Sequence, residues 1–364
     1  MSGRPEFRGS GVGPSGAVAA VHAAIWRCNR GGRGGRPKSF AILITGMSTS
    51  SVASAASRAL CVVRDPTLRR TLRRTLQASG APVEFRESLD GGGLGPGVIL
   101  FVDREIRESA ELPRLMQVIG ENGRIVILGD SLADLGSIEL LRHPPLDHLI
   151  SEESPDEVEL VVTAVKLLSG DIFGLEKYMS WGAAVTGAEI STYEDKRAAL
   201  LAVTRAAESV GARRQLVSKI EGAADELLMN ALYDAPAAGG VADEERIRRD
   251  IKLGDVPLDR NGCTALLRYA CDGRHFAISV LDRYGALDKQ TILGSLLRAR
   301  SERGRPRERG GAGLGLYFVL SSVTRFIVNI EPDVKTEVVC LFDLRERGRD
   351  ADSWARSLHI FTTR

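Results

Sequence analysis

The sequence predicts a mixed α/β chain with two folded domains, a doubly wound parallel sheet followed by a second α/β domain. Two observations support this prediction. Residues 57–170 alternate short apolar runs with helical patterns, and residues 199–346 place an amphipathic helix before a hairpin signature and a glycine-rich loop. The chain has 364 residues, enough for two domains of ordinary size. Segments 1–56, 171–198 and 347–364 are predicted to be a basic glycine-rich tail, a linker with a helix, and a C-terminal tail.

The first predicted domain contains five apolar runs typical of short strands. They are residues 60–63, 83–85, 98–102, 125–128 and 148–150. The third run has no polar residue, which is typical of a strand covered on both faces. Helical patterns lie between the runs, and the last of them has Pro155 in its first turn. This alternation predicts a parallel sheet with helices on both faces, a flavodoxin-like arrangement.

This layout resembles the receiver domain of bacterial response regulators, in which acids after the first strand hold magnesium and an aspartate ending the third strand takes the phosphoryl group. Asp65 and Asp103 stand near those two positions. Arg64 lies where a second acid would be expected, and residues 151–153 include no lysine. Without that cation, charge on a transferred phosphoryl group is poorly offset. The resemblance therefore implies a pseudo-receiver used for docking or dimerisation. The alternatives are that Asp103 accepts a phosphoryl group, or that it caps the turn after its strand.

Residues 1–56 offer little apolar surface for a core. Seven Lys or Arg residues and one Glu give residues 1–46 a local charge of +6, and ten glycines raise the backbone entropy. This composition predicts a disordered tail, with a basic RNA-binding arm as the alternative. The apolar run 40–44 is too short and too far from Met1 for a signal peptide, and Met47 is an alternative start.

Composition limits the classes of function. The net charge of +2 excludes nucleic-acid binding that depends on bulk charge, and 5% aromatic residues are too few for an obvious base-stacking surface. The apolar runs fall well short of the ~20 residues of a membrane helix. The five cysteines show no Cys-x-x-Cys spacing, so the sequence indicates neither a disulfide framework nor a zinc site. We therefore expect a cytoplasmic protein without membrane or nucleic-acid partners.

The first motif whose side chains could act in catalysis or metal binding lies on a helical pattern over residues 213–235. Glu226 and Asn230 are four residues apart, so they share one face of this helix. A carboxylate can accept a proton from a nucleophile, and an amide oxygen one turn away can join a magnesium shell. Alone, the pair is more typical of an exposed glutamate beside a polar neighbour.

A hairpin follows this helix in the sequence. Residues 265–271 and 275–281 flank Asp272-Gly273, a turn signature between two strands. Asp282 comes directly after the second strand, where its carboxylate can accept a hydrogen bond from an adenine amino group. Gly285 lets the backbone pass close to a base.

A glycine-rich loop, residues 310–315, opens an apolar helix pattern, and an arginine-rich segment, residues 298–309, precedes it. Glycines before a helix N-terminus can form an anion cradle because free N–H groups point toward phosphates and the helix dipole assists. Alone, the loop could equally be a flexible connector.

The order of these motifs resembles the GHKL ATP-binding fold, an α/β sandwich found in histidine kinases, gyrase-type ATPases and anti-sigma-factor serine kinases. The resemblance covers about residues 200–345. It implies that ATP and Mg²⁺ are bound, that Glu226 is the general base and that Asn230 ligates the metal. The segment 298–309 would be the ATP lid. The residues implied to hold the nucleotide are Asn230, Asp282, Gly285, Gly311, Gly313, Leu314, Gly315 and Thr336.

Two features of the sequence depart from members of this superfamily. The family's usual Asp-x-Gly-x-Gly is replaced by Asp282-Arg283-Tyr284-Gly285-Ala286, which loses one glycine and the spacing. None of the five histidines lies between residues 149 and 274, where a histidine kinase would need its phosphoacceptor. A compact ATP-binding domain with Asn230-Ala231 and the preceding Glu226 looks closest to anti-sigma-factor serine kinases.

That resemblance implies γ-phosphoryl transfer to Ser or Thr of a regulatory protein partner, with a homodimer as one expected assembly. The competing interpretation is a non-catalytic module in a two-component or sigma-regulatory pathway. In that module ATP gates binding to a partner protein.

Overall fold

The computed structural model describes residues 58–88, 97–130, 132, 134–151, 156–238, 264–301, 314–345 and 355–363. These residues form a mixed α/β structure around one eleven-stranded sheet, which confirms the predicted α/β class. The strands lie in the order β2-β1-β3-β4-β5-β11-β9-β10-β8-β7-β6. None of the helices in the described ranges combines the length and the apolar character needed to cross a membrane.

The strands are short and mostly buried. Their bounds are β1 Arg58–Val62, β2 Val83–Arg86, β3 Val98–Asp103, β4 Arg124–Leu128, β5 Leu146–Ile150, β6 Val185–Ile190, β7 Ala265–Cys271, β8 His275–Asp282, β9 Arg325–Glu331, β10 Lys335–Asp343 and β11 Ser357–Thr362.

The helices cover both faces of the sheet. Their bounds are α1 Pro66–Gln77, α2 Arg104–Glu108, α3 Glu111–Ile119, α4 Leu135–Leu140, α5 Glu157–Ser169, α6 Tyr193–Ser209, α7 Arg214–Met229, α8 Ala235–Ala238, α9 Lys289–Ser301 and α10 Leu314–Ser322. A 3₁₀ turn spans Leu175–Tyr178, and a π-helical turn spans Asn230–Asp234.

The first half of the sheet consists of the five strands predicted from the apolar runs. They pair in parallel in the order β2-β1-β3-β4-β5. Helices α1 and α5 pack on one face, and α2, α3 and α4 pack on the other. Asp65 caps α1 through the N–H of Thr67, and Asp156 caps α5 through the N–H of Val158. Local capping signals therefore set where these helices begin.

The second half of the sheet is antiparallel. Strands β9, β10, β8, β7 and β6 pair in that order, and α6, α7, α9 and α10 cover one face. The opposite face packs against α5 and the segment around the 3₁₀ turn. Helix α7 therefore lies over β8 and β10, which places the predicted Glu226 motif above the strands that carry Asp282 and Thr336.

Strand β11 corrects the prediction of a C-terminal tail over residues 347–364. Ser357–Thr362 pairs antiparallel with β5 and parallel with β9, so it joins the two halves into one sheet. The predicted linker 171–198 likewise contains edge strand β6. Both strands were missed because their sequences mix polar with apolar residues, and Ser357 and His359 are nevertheless buried.

A buried ionic cluster explains how β11 accepts these polar residues. The Glu159 carboxylate on α5 accepts hydrogen bonds from Ser357 and from His359 Nε2, the latter at 3.1 Å. It also pairs with Arg325 Nε at 3.0 Å. Burial alone would raise the pKa of Glu159, but Arg325 and these hydrogen bonds outweigh it and lower that pKa to about 2.

A second contact joins the two halves near α9. The Lys289 ammonium donates to Asp147 Oδ1 at 2.6 Å and to the His143 carbonyl at 2.7 Å. Gln290 and Arg142 exchange hydrogen bonds, each at 3.0 Å. The start of α9 is therefore fixed to the loop between α4 and β5.

We expect Glu159→Gln to destabilise the fold by about 3 kcal/mol at pH 7, because it leaves Arg325 and His359 in a buried cluster with one carboxylate fewer. The folded-state pKa of Glu159 is lowered. Its stabilising contribution is therefore complete above the ordinary glutamate value of about 4.3 and is lost as pH falls toward about 2. Urea denaturation at pH 7 and pH 3 should thus show a smaller difference between wild type and variant at pH 3.

The matched control is Glu139→Gln, which removes an exposed glutamate paired with Arg142 at 3.2 Å. Surface pairs contribute about 0–1 kcal/mol, so this variant should denature nearly like the wild type. Equal effects of the two substitutions would contradict the role given to the buried cluster.

Candidate functional site

The candidate site lies where α7 and the π-helical turn after it lie over β8, next to β10, with the start of α10 against α7. Packing brings these elements together: a Cβ added to Gly222 of α7 would lie 2.9 Å from the Phe318 ring of α10. A larger residue at position 222 would displace this ring. Neither Gly222 nor Phe318 was predicted, since a single helical glycine gives no distinctive sequence signal.

Asp282 and Thr336 form the floor of the site. They lie opposite each other in the β8–β10 pairing, and both are buried, with 7% and 1% of their surface exposed. Asp282 Oδ1 accepts hydrogen bonds from the N–H groups of Tyr284 at 2.9 Å and Gly285 at 3.2 Å. Burial raises the pKa of Asp282, although these N–H groups and the neighbouring Thr336 oppose the shift.

The Thr336 hydroxyl is the most unusual polar group in the site. It lies beside the Asp282 carboxylate, where a hydrogen bond between the two groups opposes the rise in the Asp282 pKa that burial causes, and it bonds to no other described residue. A ligand that reaches this pair would meet a carboxylate and a hydroxyl together.

Gly285 lies where two backbone segments cross. Its φ is +61°, and an added Cβ would overlap the Glu331 carbonyl oxygen and lie 2.6 Å from the Val334 N atom. The glycine is therefore required where the chain after β8 crosses the β9–β10 turn. The structure gives a backbone reason for this residue that does not involve a ligand.

Glu226 lies against the start of α10. A Cβ added to Gly315 would overlap the Glu226 carboxylate, so a larger residue at this position would displace the end of that side chain. The N-terminus of a helix carries partial positive charge, which favours a carboxylate nearby. Leu314 is the first residue of α10, whereas Gly311, Gly313 and most of the arginine-rich segment lie outside the described residues.

Burial and the charged residues around Glu226 shift the pKa of its carboxyl group. Burial raises its pKa, Asp234 and Asp225 raise it further, and Lys196 opposes them. The Lys196 ammonium lies 2.7 Å from Asp225 Oδ1 and is itself almost buried. Lys196 was not predicted, because it is one charged residue among several on α6.

Asn230 stands at a change of helix type. Its N–H donates to the Glu226 carbonyl, so the two residues are one α-helical turn apart, as predicted. The π-helical turn Asn230–Asp234 begins here. Such turns insert one residue and often occur at functional sites. This turn also places Asp234 near enough to Glu226 to affect its pKa.

In the first half of the sheet, the geometry favours the capping interpretation of Asp103. Its carboxylate accepts hydrogen bonds from the N–H groups of Arg64, Asp65 and, at 3.0 Å, Ile106, and it is 3% exposed. The Asp65 carboxylate caps α1. Both acids thus already serve backbone groups. Across the described ranges, no cluster of three or more His, Cys, Asp or Glu could hold a metal ion.

Comparison with known proteins adds no assignment: no protein-family model matches the chain, and no curated protein matches it in sequence.

We expect Glu226→Gln to stabilise the protein at neutral pH by about 0.5 kcal/mol, the scale of a like-charge contact on a helix. The folded-state pKa of Glu226 is raised, so its charged form opposes folding above that pKa and the effect disappears in acid. Thermal denaturation should show a higher Tm at pH 8 and no difference near pH 4. Glu221→Gln, at an exposed position of the same helix, is the control and should show no such pH dependence. A lower Tm for Glu226→Gln at pH 8 would contradict the inference that the charged Glu226 carboxylate destabilises the fold.

Proposed function

We propose that this chain is an ATP-binding signalling protein that uses Mg²⁺ with a GHKL-type site, in which Glu226 promotes phosphoryl transfer to a Ser or Thr of a regulatory protein partner. The observation that carries the proposal is the pairing of a buried carboxylate with a buried hydroxyl, those of Asp282 and Thr336. The motif on α7 lies in the same part of the molecule.

The purine end of a nucleotide fits the chemistry of this pair. An adenine amino group donates hydrogen bonds, and the Asp282 carboxylate is an acceptor held in place by two backbone N–H groups. Adenine ring nitrogens are acceptors, and the Thr336 hydroxyl beside the carboxylate is a group that can donate or accept a hydrogen bond. A buried site built to hydrogen-bond one base would discriminate strongly against a base that leaves these groups unpaired.

The triphosphate end would lie toward Asn230 and α10. The Asn230 side chain would supply one amide oxygen to Mg²⁺, and the free N–H groups at the start of α10 suit anionic oxygens. When bound, Mg²⁺ would neutralise charge on the phosphates. Since the described residues hold no acidic metal cluster, the nucleotide itself would supply most of the metal's remaining oxygen ligands.

Glu226 is the candidate base because burial and nearby acids raise its pKa. A carboxylate with a raised pKa takes a proton from a hydroxyl more readily at neutral pH than an ordinary one. This residue would accept the proton from the partner's Ser or Thr, while α7 and α10 hold it in place.

The second candidate is a module in which ATP controls partner binding without transfer. The observation that favours it is the contact between the Glu226 carboxylate and Gly315, because a base must be free to reach a substrate hydroxyl. In this version the acid would only fix the start of α10.

For the first half of the chain we propose a pseudo-receiver with a flavodoxin-like sheet. Support comes from its parallel strand order 2-1-3-4-5 and from the capping roles of Asp65 and Asp103. Its role would be docking rather than phosphoryl acceptance.

We expect isothermal titration calorimetry to show binding of Mg-ATP and Mg-ADP, with Asp282→Asn and Thr336→Val each weakening it at least about tenfold, or about 1.4 kcal/mol. Asp288→Asn is the control, since Asp288 is exposed and caps α9 through the Thr291 N–H, a role that asparagine also fills. No heat with either nucleotide, under conditions where the protein is folded, would refute the proposal.

A second experiment separates the two candidate functions. If Glu226 is the base, Glu226→Gln should still bind Mg-ATP but lose about 100-fold or more in partner phosphorylation or hydrolysis. Gly315→Ala should disturb the same carboxylate, whereas Gly294→Ala on α9, where a Cβ meets only the Arg298 side chain at 3.5 Å, should not. Unchanged turnover in Glu226→Gln, or none in the wild type, would leave the gating module as the better account.

A further inference from the structure

The two edge strands of the sheet differ in how well they are protected against pairing with a strand of another chain. Edge strand β2 has four residues, and two of them, Glu84 and Arg86, are charged. The guanidinium groups of Arg69 and Arg73 lie over the Phe85 ring, 5.4 and 4.9 Å from its centre. A short, charged and partly covered edge resists pairing with another chain.

Edge strand β6 lacks these protective features. It has six residues, and its only charged residue, Glu189, pairs with Arg283 at 3.1 Å. Thr186 and Gly187 are exposed, and no residue of the described ranges pairs with the outer side of the strand. An edge that is longer, weakly charged and lined by small side chains leaves N–H and C=O groups ready for another strand.

An exposed tryptophan stands next to this edge. Trp181 is 82% exposed, the highest value among the large exposed hydrophobic residues in the described structure. It lies in a tight turn closed by the Ala183 N–H to the Ser180 carbonyl at 3.1 Å, with Gly182 at φ +87°. The Ser180 hydroxyl is fixed to Asp272 at 3.1 Å. The indole is therefore presented on an anchored turn, and tryptophan is enriched among residues that dominate interface energies.

The aromatic residues around β6 are arranged symmetrically. Trp181 precedes Gly187 by six residues, and Tyr193, which is 37% exposed, follows it by six. If two copies of β6 pair antiparallel about Gly187, Trp181 of each copy lies at the same end as Tyr193 of the other. Symmetric pairs of this kind are typical of interfaces between identical chains.

The charged residues of β6 are also compatible with antiparallel pairing of two copies about Gly187. Thr186 of one copy would lie opposite Ala188 of the other, and Val185 opposite Glu189, so no like charges face each other. Opposed residues also share a face of the sheet: Ala188 contacts the core on the α6 side and Val185 the core on the other side. We propose that β6 pairs with β6 of a second copy of this chain, which extends the sheet across a twofold axis at Gly187.

Sedimentation analysis of the full chain tests this inference independently of nucleotide binding. At about 100 µM the wild type should sediment as a dimer, and Trp181→Ser should weaken the dimer at least about tenfold. Gly187→Lys should be monomeric because two lysines would meet at the axis. Mixing Gly187→Lys with Gly187→Glu should restore a dimer that contains one chain of each.

Glu87→Lys, an exposed change just beyond β2, is the control and should leave the dimer intact. Circular dichroism on each variant shows whether it is folded, and Trp181→Ser, which alters only an exposed side chain, keeps the test valid should the glycine variants misfold.

A monomeric wild type would overturn the proposal. In that case, protected β6 amides in hydrogen exchange would indicate that another segment of the same chain covers the edge, and unprotected amides would indicate a different protein. A dimer unaffected by Trp181→Ser and Gly187→Lys would overturn it equally.

Discussion

The structure depends on one strand that neither half of the chain could build alone. Strand β11 pairs with β5 on one side and β9 on the other, so its hydrogen bonds are complete only when both halves are folded. The buried Glu159 carboxylate holds this strand through Ser357 and His359 and holds β9 through Arg325. Removing one member of such a cluster leaves uncompensated charge, which makes its geometry specific. The two halves therefore form one continuous sheet, and the contact between Lys289 and the α4–β5 loop reinforces the same union.

Local sequence patterns predicted the elements whose stability is mainly local. The apolar run 98–102 lies in β3, and the hairpin around Asp272-Gly273 forms as predicted. The helix predicted to have Pro155 in its first turn instead begins at Glu157, with Asp156 as its cap. Strands β6 and β11 were not predicted because their residues are chosen by distant partners. His359 is buried in β11 since Glu159, 200 positions earlier, accepts its hydrogen bond. No periodicity within six residues can report that contact.

In the candidate site, too, local motifs predicted some features, and distant partners determined the others. The order of motifs predicted Asp282, Thr336, Glu226 and Asn230, and the folded chain brings these residues to neighbouring elements. What the motifs could not give is the environment that sets their properties. Lys196 and Asp234 change the pKa of Glu226 from α6 and from a π-helical turn, and neither position is distinctive in sequence. Gly285 was predicted to let the backbone pass close to a base, and the close neighbour that the structure shows is the β9–β10 turn.

Strand β10 links the site to the rest of the molecule through its alternating faces. Thr336 points to the candidate site, and the next residue, Glu337, points to the opposite face, where it is fully buried. Glu337 pairs with Arg268 at 2.6 Å and accepts hydrogen bonds from Asn329 and the Gly174 N–H. These partners fix the strand from behind, and so they hold Thr336 opposite Asp282 on the other face. The polar network behind β10 therefore determines where the carboxylate and the hydroxyl of the candidate site lie relative to each other.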